Sequence, residues 1–332
     1  MSEIIVADGV TKRFRQPKRY SGLAGAIRGL VSREFTEVRA VEDISFVIRA
    51  GEAVGYLGPN GAGKSTMIKM MTGILVPTGG ALSVLGRTPH AERMTNAREI
   101  GVVFGQRSQL WWDLPVHDSF ELHRRIYDVP GGRYRENLAH LTHMLGMESY
   151  LDRAVRQLSL GQRMRAEMAM ALLHDPKILF LDEPTIGLDV VAKDAVRKFL
   201  SQVNRERGVT IILTTHDLQD IEEICPRLIM VDDGKLLFDG ELKRLRTALG
   251  ARRRLTLEFA TDPGPVALTT ARLVSDEGAS KHFLIENEET SLVDVLTELD
   301  SSYGLKDVSL DEPDIEEVIR TFYQNKSALV PS

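Results

Sequence analysis

Residues 58–66 read GPNGAGKST, a stretch that sharply narrows the folds open to this chain. Gly58, Gly63, Lys64 and Ser65 satisfy the spacing G-x-x-x-x-G-K-[ST], which holds phosphate where a strand feeds the loop and a helix leaves it. Both flanks are present: AVGYL precedes the loop and STMIKMMTG follows Lys64. The glycines let backbone N–H groups face a phosphate, and the helix N-terminus adds the positive end of its dipole. Lys64 is suited to neutralise β- and γ-phosphate oxygens, and Ser65 to ligate Mg2+. A strand–loop–helix unit of this kind belongs to a sheet covered by helices, so the chain is expected to be α/β.

The rest of the sequence supplies the alternation such a fold needs. Strands are expected at 2–10, at two sites within 41–58 separated by Ala50-Gly51, at 100–104, and at KILFLDEP (177–184) and VTIILTTHD (209–217). Helices are expected over 64–73 and 192–208, and through most of 118–175, with breaks at 129–132 and at Gly146. Apolar runs that end in acids read as buried parallel strands whose C-terminal ends carry chemistry. Composition shifts after about residue 241. The basic stretch LKRLRTALGARRR reads as a solvated linker helix rather than a nucleic-acid patch, because no aromatic residues interleave it. Short strands and helices then alternate to residue 325. The expected organisation is a nucleotide-binding domain at 1–244, with an insertion at 17–34 and a helical subdomain at about 107–175, followed by a small α+β domain at 245–332.

Composition excludes several classes of function. A net charge of −5 gives no reason to expect nucleic acid as a partner. The one cysteine, Cys225, forbids an intrachain disulfide and fits a reducing compartment. No run approaches the roughly 18 apolar residues of a membrane span, and MSEIIVADGV lacks the layout of a signal peptide. Work at a membrane would require docking on one.

Four further residues complete a candidate site. Asp182 and Glu183 end the apolar strand at 178–181. Asp182 suits Mg2+, directly or through water, and Glu183 is suited to take a proton from an attacking water. His216 ends the next buried strand, where it could hydrogen-bond a γ-phosphate oxygen. Gln106 follows IGVVF in the same manner, and its amide could reach both Mg2+ and the attacking water.

With GPNGAGKST, Gln106, LSLGQ (158–162), ILFLDEP, GLD (187–189) and TTHD (214–217) in this order, residues 2–241 resemble the ATP-binding subunits of ABC transporters. The resemblance implies a P-loop NTPase of the ABC ATPase type that binds ATP and Mg2+, with Pro59, Asn60, Gly61, Ala62 and Thr66 completing the phosphate loop. It also implies an ATP sandwich, in which the phosphate loop of one subunit faces LSLGQ of a second. Ser159, Gly161 and Gln162 would then contact the γ-phosphate held by the partner, and Asp189 would lie at the dimer interface. The same stretch also reads as a helix N-cap with Ser159 capping, and the two roles are compatible. Leu160 departs from the family, which usually has glycine there. The family offers an aromatic ring to adenine, and Phe14 and Phe35 are the two candidates. More narrowly, QRSQLWWDLPVHDSFELHRRIYDV and the tail DEPDIEEVIRTFY resemble ATPases of ABC-2-type exporters, the daunorubicin- and viologen-exporter group. That group implies separate membrane permease subunits, a homodimer of ATPase subunits, and a peripheral position on the cytoplasmic face of the cell membrane. The alternative is a soluble ABC ATPase acting on nucleic acid or ribosomes. Adjacent Trp111 and Trp112 cannot both face a core, so at least one is expected at the surface or an interface.

Between Phe14 and Phe35, Leu23, Ala26, Ile27, Leu30 and Val31 recur at helical spacing beside Lys18, Arg19, Arg28 and Arg33. This basic amphipathic pattern fits a helix packed on its own domain or one lying at the membrane surface beside a permease.

Overall fold

The computed structural model describes residues 2–17, 35–105, 107–248, 253–285, 290–299, 303–311 and 315–324. Residues 18–34 of the expected amphipathic insertion at 17–34, and Gln106, lie outside the described residues. The chain divides into two compact units, Met1–Gly240 and Glu241–Ser332.

The first unit runs β1 (Glu3–Pro17), β2 (Phe35–Arg49), β3 (Ala53–Leu57), α1 (Lys64–Met71), β4 (Gly79–Val84), α2 (Arg93–Glu99) and β5 (Ile100–Phe104). It continues with α3 (Val116–Ile126), α4 (Gly131–Leu145), α5 (Leu160–Leu172), β6 (Ile178–Asp182), α6 (Val190–Arg207), β7 (Thr210–Thr214), α7 (Leu218–Ile224), β8 (Arg227–Asp232) and β9 (Lys235–Glu241). Six strands form one sheet in the order β5-β6-β7-β3-β8-β9. The neighbours from β5 to β8 pair in parallel. Every residue of β3 and β7 is buried, which explains their unbroken apolar runs. Between β8 and β9 stands the two-residue turn Asp233-Gly234, with φ of 47° and 74°. A turn that tight reverses the chain, so β9 closes the sheet edge antiparallel.

A second, antiparallel sheet has the order β2-β1-β4. Its first two strands are longer than the sequence reading expected, and β4, GGALSV, was not anticipated at all. Two leading glycines give that strand little intrinsic signal; pairing with β1 decides it. Ile5, Val10, Ile44 and Ile48 of this sheet share one core with Val54, Phe180 and Ile212 of the six-stranded sheet and with Met67, Met70 and Met71 of α1. The helix behind the phosphate loop is thus clamped between two sheets.

The second unit contains α8 (Leu242–Ala248), β10 (Arg254–Phe259), β11 (Ala271–Glu277), β12 (Ser280–Ile285), α9 (Leu292–Glu298), β13 (Leu305–Asp311) and α10 (Ile315–Gln324). Its antiparallel sheet has the order β11-β12-β10-β13. Leu255, Leu257, Phe259, Phe283, Ile285 and Val295 form a separate core. The basic stretch is not the solvated linker helix expected. Leu242 and Leu245 of α8 are buried, so the helix has an apolar face packed away from water, and Arg254 already opens β10. Among the described residues no helix is long and apolar enough to cross a membrane.

Candidate active site

The phosphate loop leaves β3 at Leu57 and enters α1 at Lys64, with Gly63 as N-cap at φ 97°. A Cβ on Gly63 would collide with the Ala40 carbonyl of β2, so the close approach and the backbone angle both require glycine. The Lys64 ammonium folds over the loop and donates to the carbonyls of Gly58 at 2.6 Å and Pro59 at 3.0 Å. Burial lowers its pKa, opposed by the Glu183 and Asp182 carboxylates. A phosphate in the loop can take over the two hydrogen bonds that the carbonyls now accept.

The acids sit where β6 and β7 end side by side. Asp182 Oδ1 accepts from Thr214 Oγ1 at 2.6 Å and from Ser65 Oγ at 3.4 Å. Glu183 takes a left-handed backbone, φ 55°, and its N–H donates to the Thr214 carbonyl at 2.9 Å. Two consecutive carboxylates thereby serve different neighbours. Asp182 meets Ser65, whereas Glu183 Oε1 lies 2.7 Å from His216 Nε2. The His216 side chain is half exposed, so the pair opens to solvent on the ligand edge of the sheet. Thr214 was not singled out from sequence, although a hydroxyl residue closing a buried strand beside an acid-bearing one was a usable signal.

The LSLGQ stretch lies apart from this cluster. Ser159 caps α5: its Oγ accepts from the Gln162 N–H at 3.2 Å, while Gln162 Oε1 accepts from the Ser159 N–H at 3.0 Å. Gln162 is therefore turned toward its own helix cap. Asp189 caps α6 by accepting from the Ala192 N–H at 2.8 Å. Ser159, Gly161, Gly187, Asp189 and Val190 line one open surface pocket, and no residue of the phosphate loop lines it. Val190 and Val191 beside it are each 80% exposed.

Phe14 pairs with Val38 and Phe35 with Pro17, across one hairpin. The register sets Phe14 opposite a residue two before Ala40, which touches the phosphate loop, and sets Phe35 farther out, 58% exposed. Trp111 and Trp112 are 54% and 53% exposed, so neither joins the core. The Arg163 guanidinium sits 5.8 Å from the Trp112 ring centroid. After Gln106, the chain is pinned by buried Glu167 of α5, which accepts from the Ser108 hydroxyl and from the Gln109 N–H at 3.0 Å.

The sequence and the fold have known counterparts. Residues 41–186 match the family model described as ABC transporter. The ABC transporter ATP-binding protein NatA of Bacillus subtilis is 34% identical over 218 residues, covering 64% of this chain and 88% of NatA. This chain belongs to the ABC transporter ATP-binding family. The Nod factor export ATP-binding protein I of Rhizobium sp. is 36% identical over 63% of this chain and 68% of its own length. The methionine import ATP-binding protein MetN 2 of Bacillus licheniformis is 33% identical over 75% and 72%. The ATP-binding cassette MJ0796, solved as a dimer with ADP and Pi, superposes with a TM-score of 0.59 at 26% identity, over 72% of this chain and 99% of that one. The fold is that of the P-loop ABC ATPases, and the chain binds and hydrolyses ATP.

Proposed function

We propose that two copies of this ABC subunit close on ATP and drive export through separate ABC-2-type membrane subunits. One observation carries the sandwich. Ser159, Gly161 and Asp189 share an exposed pocket that the phosphate loop does not line, so they are free to meet a nucleotide held by another copy. In this reading Lys64 and the loop residues Gly58, Pro59, Asn60, Gly61, Ala62, Gly63, Ser65 and Thr66 hold the phosphates. Phe14 is the better of the two candidates for adenine, on register. Glu183 accepts the proton of the attacking water, and His216, 2.7 Å away, fixes the carboxylate and faces the γ-phosphate. Gln106 is assigned to Mg2+ and the attacking water on sequence alone.

Ser65 Oγ and Asp182 Oδ1, 3.4 Å apart, are two hard oxygen donors of the kind Mg2+ takes. They would hold the ion, and bound Mg2+ supplies neutralisation of phosphate charge. The export direction rests on the likeness of residues 106–129 and of the tail to ABC-2 ATPases, and a relative named for Nod factor export supports it. The exposed tryptophans are the proposed contact to the permease, which would keep the subunit peripheral on the cytoplasmic face of the membrane.

The sandwich is tested by size exclusion with Mg2+ and ATP. Glu183→Gln, which cannot accept the proton, is expected to dimerise only with ATP. Adding Ser159→Arg to that variant is expected to leave it monomeric. A dimer that survives Ser159→Arg defeats the reading.

A further inference from the structure

Behind the reacting edge lies a carboxylate that none of the assigned roles uses. Asp220 of α7 is wholly buried. Its Oδ1 accepts from Arg197 Nε at 2.6 Å. Its Oδ2 accepts from the Thr185 hydroxyl and from Thr215 Oγ1, the latter at 3.0 Å. Thr185 stands two residues after Glu183, and Thr215 stands immediately before His216. One oxygen atom therefore ties down both backbone segments from which the Glu183–His216 pair projects. Arg197, also buried, reaches Asp217 at 3.2 Å and Glu223 at 3.4 Å, so the counter-charge is itself held on three sides.

We infer that Asp220, oriented by Arg197, is a positioning residue that sets the spacing of Glu183 and His216 through Thr185 and Thr215. The strands end at Asp182 and Thr214, and the bond from the Glu183 N–H to the Thr214 carbonyl is the last rung between them. Glu183 also holds a backbone angle unfavourable to a non-glycine residue, which persists only where the surroundings enforce it. A buried ion pair is weak as a stabiliser, and apolar side chains could join α6 to α7 at least as well. What apolar packing cannot do is bind hydroxyls from two different turns to one atom. Displacements near 1 Å at a reacting centre cost about 100-fold in rate, so such a tether has a kinetic role. The inference rests on the proposed assignment of Glu183 as the base.

The test removes the hydroxyls and keeps the ion pair. In the full chain, Thr185→Val with Thr215→Val preserves shape and leaves Asp220 paired with Arg197. Steady-state ATPase is expected to lose about tenfold or more in kcat, with KM for ATP within about twofold. Thr185→Ser with Thr215→Ser, which restores both donors, is expected to return most of that loss. Wild-type kcat in the valine pair overturns the inference. So does a serine pair as slow as the valine pair, or a valine pair whose ATP affinity falls with its kcat, since those outcomes describe packing alone. Glu183→Gln run in parallel separates the two claims. If it is inactive while the valine pair is fully active, only the tether fails. If it turns over normally, the base assignment fails and the tether loses its object.

Discussion

Lys64 has two sets of partners available, and it is found with the weaker. Its hydrogen bonds go to the carbonyls of Gly58 and Pro59, neutral acceptors that ATP phosphates would replace with charged ones. Lys64→Ala should therefore leave the fold nearly untouched and weaken ATP binding by roughly 10- to 100-fold, the equivalent of one charged hydrogen bond. Calorimetric titration with ATP measures it, and unchanged affinity would refute the role. Ser159 allows a cleaner separation. Ser159→Ala should cost about 1 kcal/mol through loss of the α5 cap. Ser159→Asp keeps a good capping oxygen but turns a negative charge toward the nucleotide that the proposed sandwich would place opposite it. Its thermal midpoint should match the wild type while its ATP-dependent dimer disappears. The phosphate loop, the two acids and His216 were legible in sequence because each needs a fixed residue type at the end of a strand. Thr214 was passed over although its place at the end of a buried strand was a signal; Thr185 offered none, because a threonine beside a functional residue looks like any other threonine until its acceptor is known.

At the scale of elements, α3 and the end of α5 meet the start of β5 through a buried histidine pair. His174 Nε2 donates to the Ile100 carbonyl at 2.9 Å, so its Nδ1 must accept from His123 Nε2 at 3.2 Å. Tyr127 lies against both rings, with centroids 4.2 Å from each. Burial pushes the His123 pKa down to about 3 and that of His174 to about 4, from 6.5. Both groups are depressed, so their contribution is complete above pH 6.5 and declines as pH falls toward those values. The slope should be about 1.4 kcal/mol per pH unit for each histidine. Denaturant midpoints between pH 7 and 5 test this, and His123→Gln should flatten the profile. A wild-type profile already flat over that range would count against the buried neutral pair. Helices α3 to α5 were readable from periodicity, but no periodicity reveals which polar side chains face each other across them. The same limit hid β4, whose identity comes from its partner strand rather than its own residues.

At the scale of the molecule, two cores imply two stabilities. Phe283 is fully buried in the second core. Phe283→Ala should cost about 3–5 kcal/mol there. Calorimetry should show the Glu241–Ser332 unit melting earlier while ATP still raises the melting temperature of Met1–Gly240. A single transition that shifts as a whole would show that the two units fold as one. Alternating strands and short helices made the second unit visible in sequence. The expected boundary at 244/245 falls within α8, four residues from the division at Gly240/Glu241.

Leu160 and Gly187 line the same pocket, and their closeness has a consequence for substitution. A Cβ on Gly187 would stand 3.1 Å from Leu160 Cδ2, and Gly187 is held at φ 74°. The bulky signature residue is thus accommodated by the bare backbone opposite. A side chain at 187 would press on the Leu160 methyl by a few tenths of an ångström and would sit at a backbone angle that L residues rarely adopt, so the two positions are coupled. Grafting LSLGQ into a relative that keeps a side chain at the second position would transfer half of a pair.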